Sequence, residues 1–134
     1  MQFNFEKLIV YQKALNYVDF VYTLTEQFPK QEQFALTDQF RRAAVSVSLN
    51  IGEGSAGTKK EFLNFLRISN RSIRECVVCT TIAFRRNYIT EETSTTSRIH
   101  LVEMAKLNSG LINSLKSPID KRKSSTHFEL LTTN

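Results

Sequence analysis

The sequence predicts an all-α fold, an antiparallel up-down-up-down four-helix bundle. Three observations predict it. Only four glycines and two prolines occur in 134 residues, so little interrupts the chain. Between Pro29 and Pro118 the apolar residues recur at the helical interval rather than the two-residue interval of strands. The connections left between these stretches are short, which forces neighbouring helices antiparallel. A chain of this length holds one domain with a modest core, here residues 1–117, followed by a flexible polar tail over 118–134.

The first helix is expected to begin between Glu6 and Ile9 and to run to about Phe28, where Pro29 stops it. Val10, Ala14, Tyr17, Val21 and Leu24 line one stripe, flanked by Tyr11, Leu15, Val18 and Tyr22. Gln12, Asn16, Asp19, Thr23 and Glu26 take the opposite side, so the helix is amphipathic with a broad buried face. The second helix runs from about Gln33 to Gly52, with Leu36, Phe40, Ala43, Val47 and Ile51 as its core stripe. Gly52 and Gly54 suit its C-terminus, where a left-handed residue is needed and glycine adopts it without steric cost. The third spans Thr58 to about Asn87. Thr58 followed by Glu61, just before Phe62 and Phe65, is a capping box that satisfies two orphan N–H groups. At about 100° per residue, Phe62, Phe65, Leu66, Ser69, Ile73, Cys76, Thr80 and Phe84 cluster on its inner side. The fourth opens near Thr90, with Glu91 and Glu92 at the positive end of the dipole. It buries Leu101, Ala105, Ile112 and Leu115 and ends before Pro118. Beyond it the Ser/Thr-rich tail lacks periodicity and reads as a solvated terminus, although Lys121, Arg122 and Lys123 offer contacts to an anion.

Several functional classes find no support. No run of about 18 apolar residues is present, so no membrane span is expected. MQFNFEKL lacks the charged start and apolar stretch of a secretory signal, which leaves a cytoplasmic location as the expectation. Cys76 and Cys79 form a C-x-x-C in mid-helix, where no helix N-terminus lowers a thiol pKa. Zinc would need two more ligands from His100 and His127, so both cysteines read as packing residues and no metal or cofactor is expected. Gly52 to Thr58 is no phosphate loop: the lysine and hydroxyl residue come in the wrong order, and a helix precedes it. The N-terminus at Thr58, with Lys59 and Lys60, could still hold one backbone phosphate.

The charge is localised. Residues 1–40 hold three Lys/Arg against five Asp/Glu, residues 41–86 nine against three, and residues 87–134 six against five. The +5 total therefore resides in the second and third helices, and charge so placed speaks of partners rather than of fold. On the third helix Lys60, Asn64, Arg67, Arg71, Arg74 and Arg85 fall within one narrow arc opposite the apolar side. Like charges so spaced repel by a few tenths of a kcal/mol per pair, so the ladder is slightly costly without a partner. It reads either as a solvated face or as a phosphate-binding stripe, which Arg41, Arg42, Lys59 and Lys60 would extend. On the second helix Val45 and Leu49 lie opposite the core stripe, a pattern that suggests a second buried face against another subunit.

The chain resembles the four-helix-bundle proteins encoded within intervening sequences of bacterial 23S rRNA genes. The resemblance is carried by FEKLIVYQKAL near the start, Phe28-Pro29, the stretch from Gln39 to Ala44, SVSLNIGEG, KKEFLNFL, and Ser72 with Glu75. It covers about residues 5 to 115. Two positions depart from the pattern: Gly52 stands where alanine is usual, and Arg71 where a small residue precedes Ser72. The resemblance implies a bundle that assembles as a ring-shaped homopentamer. It also implies likeness to the accessory proteins of diversity-generating retroelements, basic pentamers that work with a reverse transcriptase and nucleic acid. It singles out Ser46, Asn50, Glu53, Ser72 and Glu75, which read as an interhelical hydrogen-bond network in preference to a general acid or base, since no nucleophile–base pair accompanies them. The reading that follows is a non-enzymatic oligomeric scaffold binding nucleic acid, RNA above DNA, through the third helix. The alternative is a scaffold docking an acidic protein or a reverse transcriptase.

Overall fold

The computed structural model describes residues 1–116 and residue 132. Four helices account for most of it: α1 (Ile9–Thr25), α2 (Leu36–Ser55), α3 (Lys59–Arg85) and α4 (Glu91–Lys116). Short 3-10 turns at Asn4–Lys7 and Lys30–Glu32 precede α1 and α2. The tail expected beyond Pro118 lies outside the described residues, except that Thr132 forms an isolated antiparallel bridge with Leu8.

α1 closes where Thr25 turns its hydroxyl back to the Val21 carbonyl (2.7 Å), three residues short of Phe28 and four short of the proline. Phe28 is buried and packs its ring 5.4 Å from that of Tyr88, tying the α1–α2 connection to the α3–α4 connection. The buried stripe of α1 is Val10, Ala14, Tyr17 and Val21. Leu15 and Tyr22 are exposed, so the apolar face is narrower than the sequence suggests. Leu36, Phe40, Ala43, Val47 and Ile51 of α2 are all buried.

The end of α2 departs from expectation. The helix runs through Gly52 and Gly54 to Ser55, and no glycine among the described residues has a positive φ. Gly54 is needed for clearance rather than for a left-handed cap. A Cβ on Gly54 would lie 2.4 Å from Phe65 Cβ and 3.1 Å from Phe62 Cδ1, so its absence lets α3 approach the α2 backbone. A Cβ on Gly52 would meet only the tip of the Phe5 ring, at 3.3 Å. The left-handed residue is instead Asn87 (φ 63°), just past α3. Asn87 N–H donates to Phe84 O (3.0 Å) and Tyr88 N–H to Ala83 O (2.9 Å), the paired bonds of a Schellman cap.

α3 begins as the sequence predicts. Glu61 N–H donates to Thr58 Oγ1 (3.2 Å), and Thr58 N–H donates to Glu61 Oε1 (3.1 Å). Its inner side holds Phe62, Leu66, Ser69, Ile73, Cys76 and Thr80, whereas Phe84 is largely exposed. α4 presents Ser94, Ser97, Leu101, Met104, Asn108 and Leu111 to the core, in strict three-and-four spacing. This seam lies about one residue round from the expected one. Ala105, Ile112 and Leu115 are half-buried, because small polar residues occupy positions where apolarity could not mark the core face.

Two of those polar residues, Ser97 and Asn108, are paired across the bundle, while Asn108 Oδ1 and Ser114 Oγ find no partner among the described residues. Thr80 Oγ1 donates to Cys76 O (2.8 Å), so the 2.8 Å Ser97–Thr80 contact has Ser97 as donor. The 2.8 Å Tyr17–Ser97 contact then has Tyr17 as donor. One directed chain thus crosses α1, α4 and α3, and burial holds the Tyr17 hydroxyl well above its ordinary pKa. A second layer joins Asn108 Nδ2 to Ser69 Oγ (3.3 Å) and Asn70 Oδ1 (3.0 Å), with Ser69 donating to Val47 O (3.1 Å).

The close approach at Gly54 predicts opposite outcomes for two similar substitutions. Gly54→Ala should destabilise the fold by about 2 kcal/mol in denaturant unfolding, since overpacking outweighs a propensity gain of about 1 kcal/mol. Gly52→Ala should be neutral or stabilising, because one ring tip can shift; equal effects at both sites would contradict the packing account. Thr58→Ala should cost about 1 kcal/mol through removal of the cap. The Thr58 hydrogen bonds hold the Glu61 carboxyl below its ordinary value of 4.5. A depressed folded-state pKa gives stability that is present above that value and lost as pH falls through the folded pKa. The stability difference between the wild type and Glu61→Gln should therefore narrow on acidification, and a difference independent of pH would contradict the cap geometry.

Candidate nucleic-acid interface

The surface of interest is the outer side of α2 and α3, and its register is set where these two helices meet. Ser46 Oγ meets Ser72 Oγ at 2.7 Å, and Asn50 Nδ2 donates to Ser46 O (2.8 Å) and Ser46 Oγ (3.0 Å). Three of the five residues named for a polar network thus come together, with Ser72 buried and the other two half-buried. Glu75 stands apart from them and accepts from Gln39 Nε2 (3.0 Å). Glu53 is exposed and its carboxylate hydrogen-bonds none of the described residues, so the structure does not bring it into the cluster. Gln39 escaped the sequence reading because nothing in its spacing distinguishes it from other surface amides.

α3 is one uninterrupted helix of 27 residues, so the arc read from its spacing is a physical stripe. Lys60, Asn64, Arg67, Arg71, Arg74 and Arg85 are all exposed. Lys60 to Arg74 spans about 21 Å and Lys60 to Arg85 about 37 Å at the rise of an α-helix. None of these cations forms an ion pair among the described residues, where the pair of Lys13 and Glu103 lies elsewhere, between α1 and α4. Lys59 and Lys60 flank the free N–H groups at the helix start. Arg42 is exposed and lies on the same outer edge, one turn from Gln39 and Ser46.

Arg41 does not join this surface. Its Nε donates to Thr25 Oγ1 (2.8 Å), and its guanidinium lies 4.5 Å from the centre of the Tyr22 ring. It locks α2 to the end of α1, a packing role that adjacency to Arg42 in the sequence conceals. Arg86, which sequence reasoning left out, is exposed beside Arg85 at the end of α3.

The stripe is not purely cationic. Ile68, Val78 and Ile82 share the outer side of α3 and are 41%, 56% and 42% exposed. On α2, Leu49 is 55% exposed and Val45 half-buried, and Leu49 lines a surface hollow with Phe5, Tyr11 and Leu15, on the side of α2 toward α1. The arrangement therefore combines a row of charges suited to a phosphate backbone with aliphatic positions suited to another protein surface.

The remaining candidates are inert. Cys76 and Cys79 are buried, and burial is the main cause that pushes the Cys76 thiol up strongly and that of Cys79 up to about 11. Such thiols stay protonated and pack as small apolar groups. His100 is wedged against the Tyr17 and Phe20 rings, and His127 lies outside the described residues. Among the described residues no cluster of three His, Cys, Asp or Glu could hold a metal ion. No helix among them is long and apolar enough to cross a membrane.

Known proteins share this fold. The family model for the 23S rRNA-intervening sequence protein matches residues 6–110. No curated protein matches the chain. Among solved structures, a protein of unknown function from the S23 ribosomal protein family of Bacteroides thetaiotaomicron is similar, with a TM-score of 0.72 at 24% identity. The likeness covers 78% of this chain and 98% of that one, and at this identity it shows the fold alone. With the family model covering most of the helical domain, the chain belongs to the 23S rRNA-intervening sequence protein family.

Proposed function

We propose that the protein is a non-enzymatic homo-oligomeric scaffold, a cytoplasmic homopentamer, that binds RNA through the basic stripe of α3. The observation that carries this reading is the row formed by Lys60, Arg67, Arg71 and Arg74, exposed and without ion-pair partners among the described residues. Mutual repulsion along such a row is relieved when phosphates supply the counter-charge. Val45 and Leu49, with Ile68, supply an apolar edge for a second copy. Repetition around a ring multiplies weak individual interactions, so each subunit needs only a few phosphates. Interactions of this kind position a backbone and carry little sequence information.

A second reading is favoured by one observation, the exposed aliphatics Val78 and Ile82 between Arg74 and Arg85. A basic surface interleaved with apolar positions also suits an acidic protein or a reverse transcriptase. Retention of a protein partner in low salt, with no RNA recovered before nuclease treatment, would favour that reading.

Charge reversal separates the outcomes. The combined variant Arg67→Glu, Arg71→Glu and Arg74→Glu should fold and assemble as the wild type does, since all three side chains are solvent-exposed. It should bind RNA at least about a hundredfold more weakly near 0.1 M salt. The slope of log K against log salt should flatten by about two for each engaged subunit, at about 0.7 to 0.9 for every phosphate no longer neutralised. An assembled variant with unchanged affinity and slope would sink the proposal.

A further inference from the structure

Near Arg85 the basic stripe changes character. Phe34, in the turn before α2, is 88% exposed, more than any other described large apolar residue except Met1. Its ring walls an open cavity of about 580 Å³ lined also by Glu32, Asp38, Gln39, Ile82 and Arg86. Ile82 lies eight residues past Arg74 on the same side of α3, about 12 Å further along the axis. The cavity therefore continues the path marked out by the cations, and Arg86 lines it.

The charges that line the cavity are mixed, with Arg86 beside Glu32 and Asp38. Glu32 Oε2 is held by the Tyr88 hydroxyl (2.9 Å), while Asp38 is exposed and hydrogen-bonds none of the described residues. Arg86 suits a phosphate, whereas the Asp38 carboxylate beside Phe34 disfavours one and suits an uncharged hydrogen-bond donor. A base has the matching chemistry: a π-face for an aromatic ring, and in cytosine, adenine and guanine an amino group that a carboxylate can accept from. Paired bases in a duplex offer neither face freely, whereas unpaired ones do.

We propose that this cavity receives an unpaired nucleobase of the RNA that runs along α3, stacked on Phe34 and Ile82, with its phosphate on Arg86 and its amino group facing Asp38. The inference rests on the RNA reading above and adds a substrate class to it: RNA in which a single-stranded stretch adjoins the segment held by its backbone. The cations supply affinity without regard to pairing, and Phe34 supplies the preference for unpaired residues.

The test uses three probes: a blunt RNA hairpin, the same hairpin with a single-stranded cytidine extension, and one whose extension is abasic. The wild type should bind the cytidine-extended hairpin about tenfold more tightly than the other two, in line with the stacking of one base on an aromatic ring. Phe34→Ala should abolish that advantage and keep the affinity for the blunt hairpin. The chain has no tryptophan, so Phe34→Trp provides a sole emitter at the site, which the cytidine extension should quench and the abasic one should not. Phe34→Ala binding all three probes as the wild type does would overturn the inference. So would a lower native mass for Phe34→Ala, which would place Phe34 between copies of the chain. If the arginine-reversed variant fails to bind RNA while Phe34→Ala changes nothing, only the base cavity falls. If the wild type binds none of the probes, the RNA reading falls and takes the cavity with it.

Discussion

The close approach of α2 and α3 at Gly54 is the constraint on which the rest of the structure depends. A missing Cβ lets the Phe65 and Phe62 side chains rest against the α2 backbone, and α2 and α3 share the most extensive interface of the bundle. Once they are seated this way the helices cannot slide. Ser46 must face Ser72, Val47 must face Ser69, and Gln39 must reach Glu75. The same register turns Arg42, one turn from Gln39 and Ser46, to the outer side of the pair. The composition of the surface is thus a consequence of one packing event at the helix joint.

The other two helices are registered by different means. α4 gives Leu101, Met104 and Leu111 to the core but intersperses them with buried Ser94, Ser97, Asn108 and Ser114. Its position is specified by hydrogen bonds, chiefly the directed chain from Tyr17 through Ser97 to Thr80 and the Asn108 layer below. Buried polar groups cost free energy when unpaired, so a slip of α4 by one turn is penalised more sharply than in a uniformly apolar core. A tightly packed pair, α2 and α3, carries the candidate surface, and a hydrogen-bonded pair completes the bundle behind it.

The fold was legible because its main signals are local. The Thr58–Glu61 cap, the α2 core stripe and the approximate start of α4 follow from spacing alone, and each is found in the structure. The end of α2 was misread because a glycine needed for left-handed geometry and one needed for clearance look alike in sequence; only the partner Phe65 tells them apart. The face of α4 was misread because its core residues are partly polar. Spacing along a single helix likewise sufficed to find the ladder. It could not tell that Arg41 turns to α1 while Arg42 stays on the outer edge, since that depends on where α1 ends. Phe34 was missed because the second helix was expected to begin near Gln33, whereas α2 begins at Leu36 and leaves Phe34 exposed in the turn before it.

The central claim is that an assembled, exposed row of cations carries nucleic acid. Light scattering of the protein purified at low salt, recorded together with its absorbance at 260 and 280 nm, tests it most directly. The account predicts an oligomeric mass with an elevated 260/280 ratio, which a high-salt wash returns to the protein value while the oligomer persists. A protein-like ratio at low salt on an intact oligomer, with no RNA taken up when it is supplied, would contradict it.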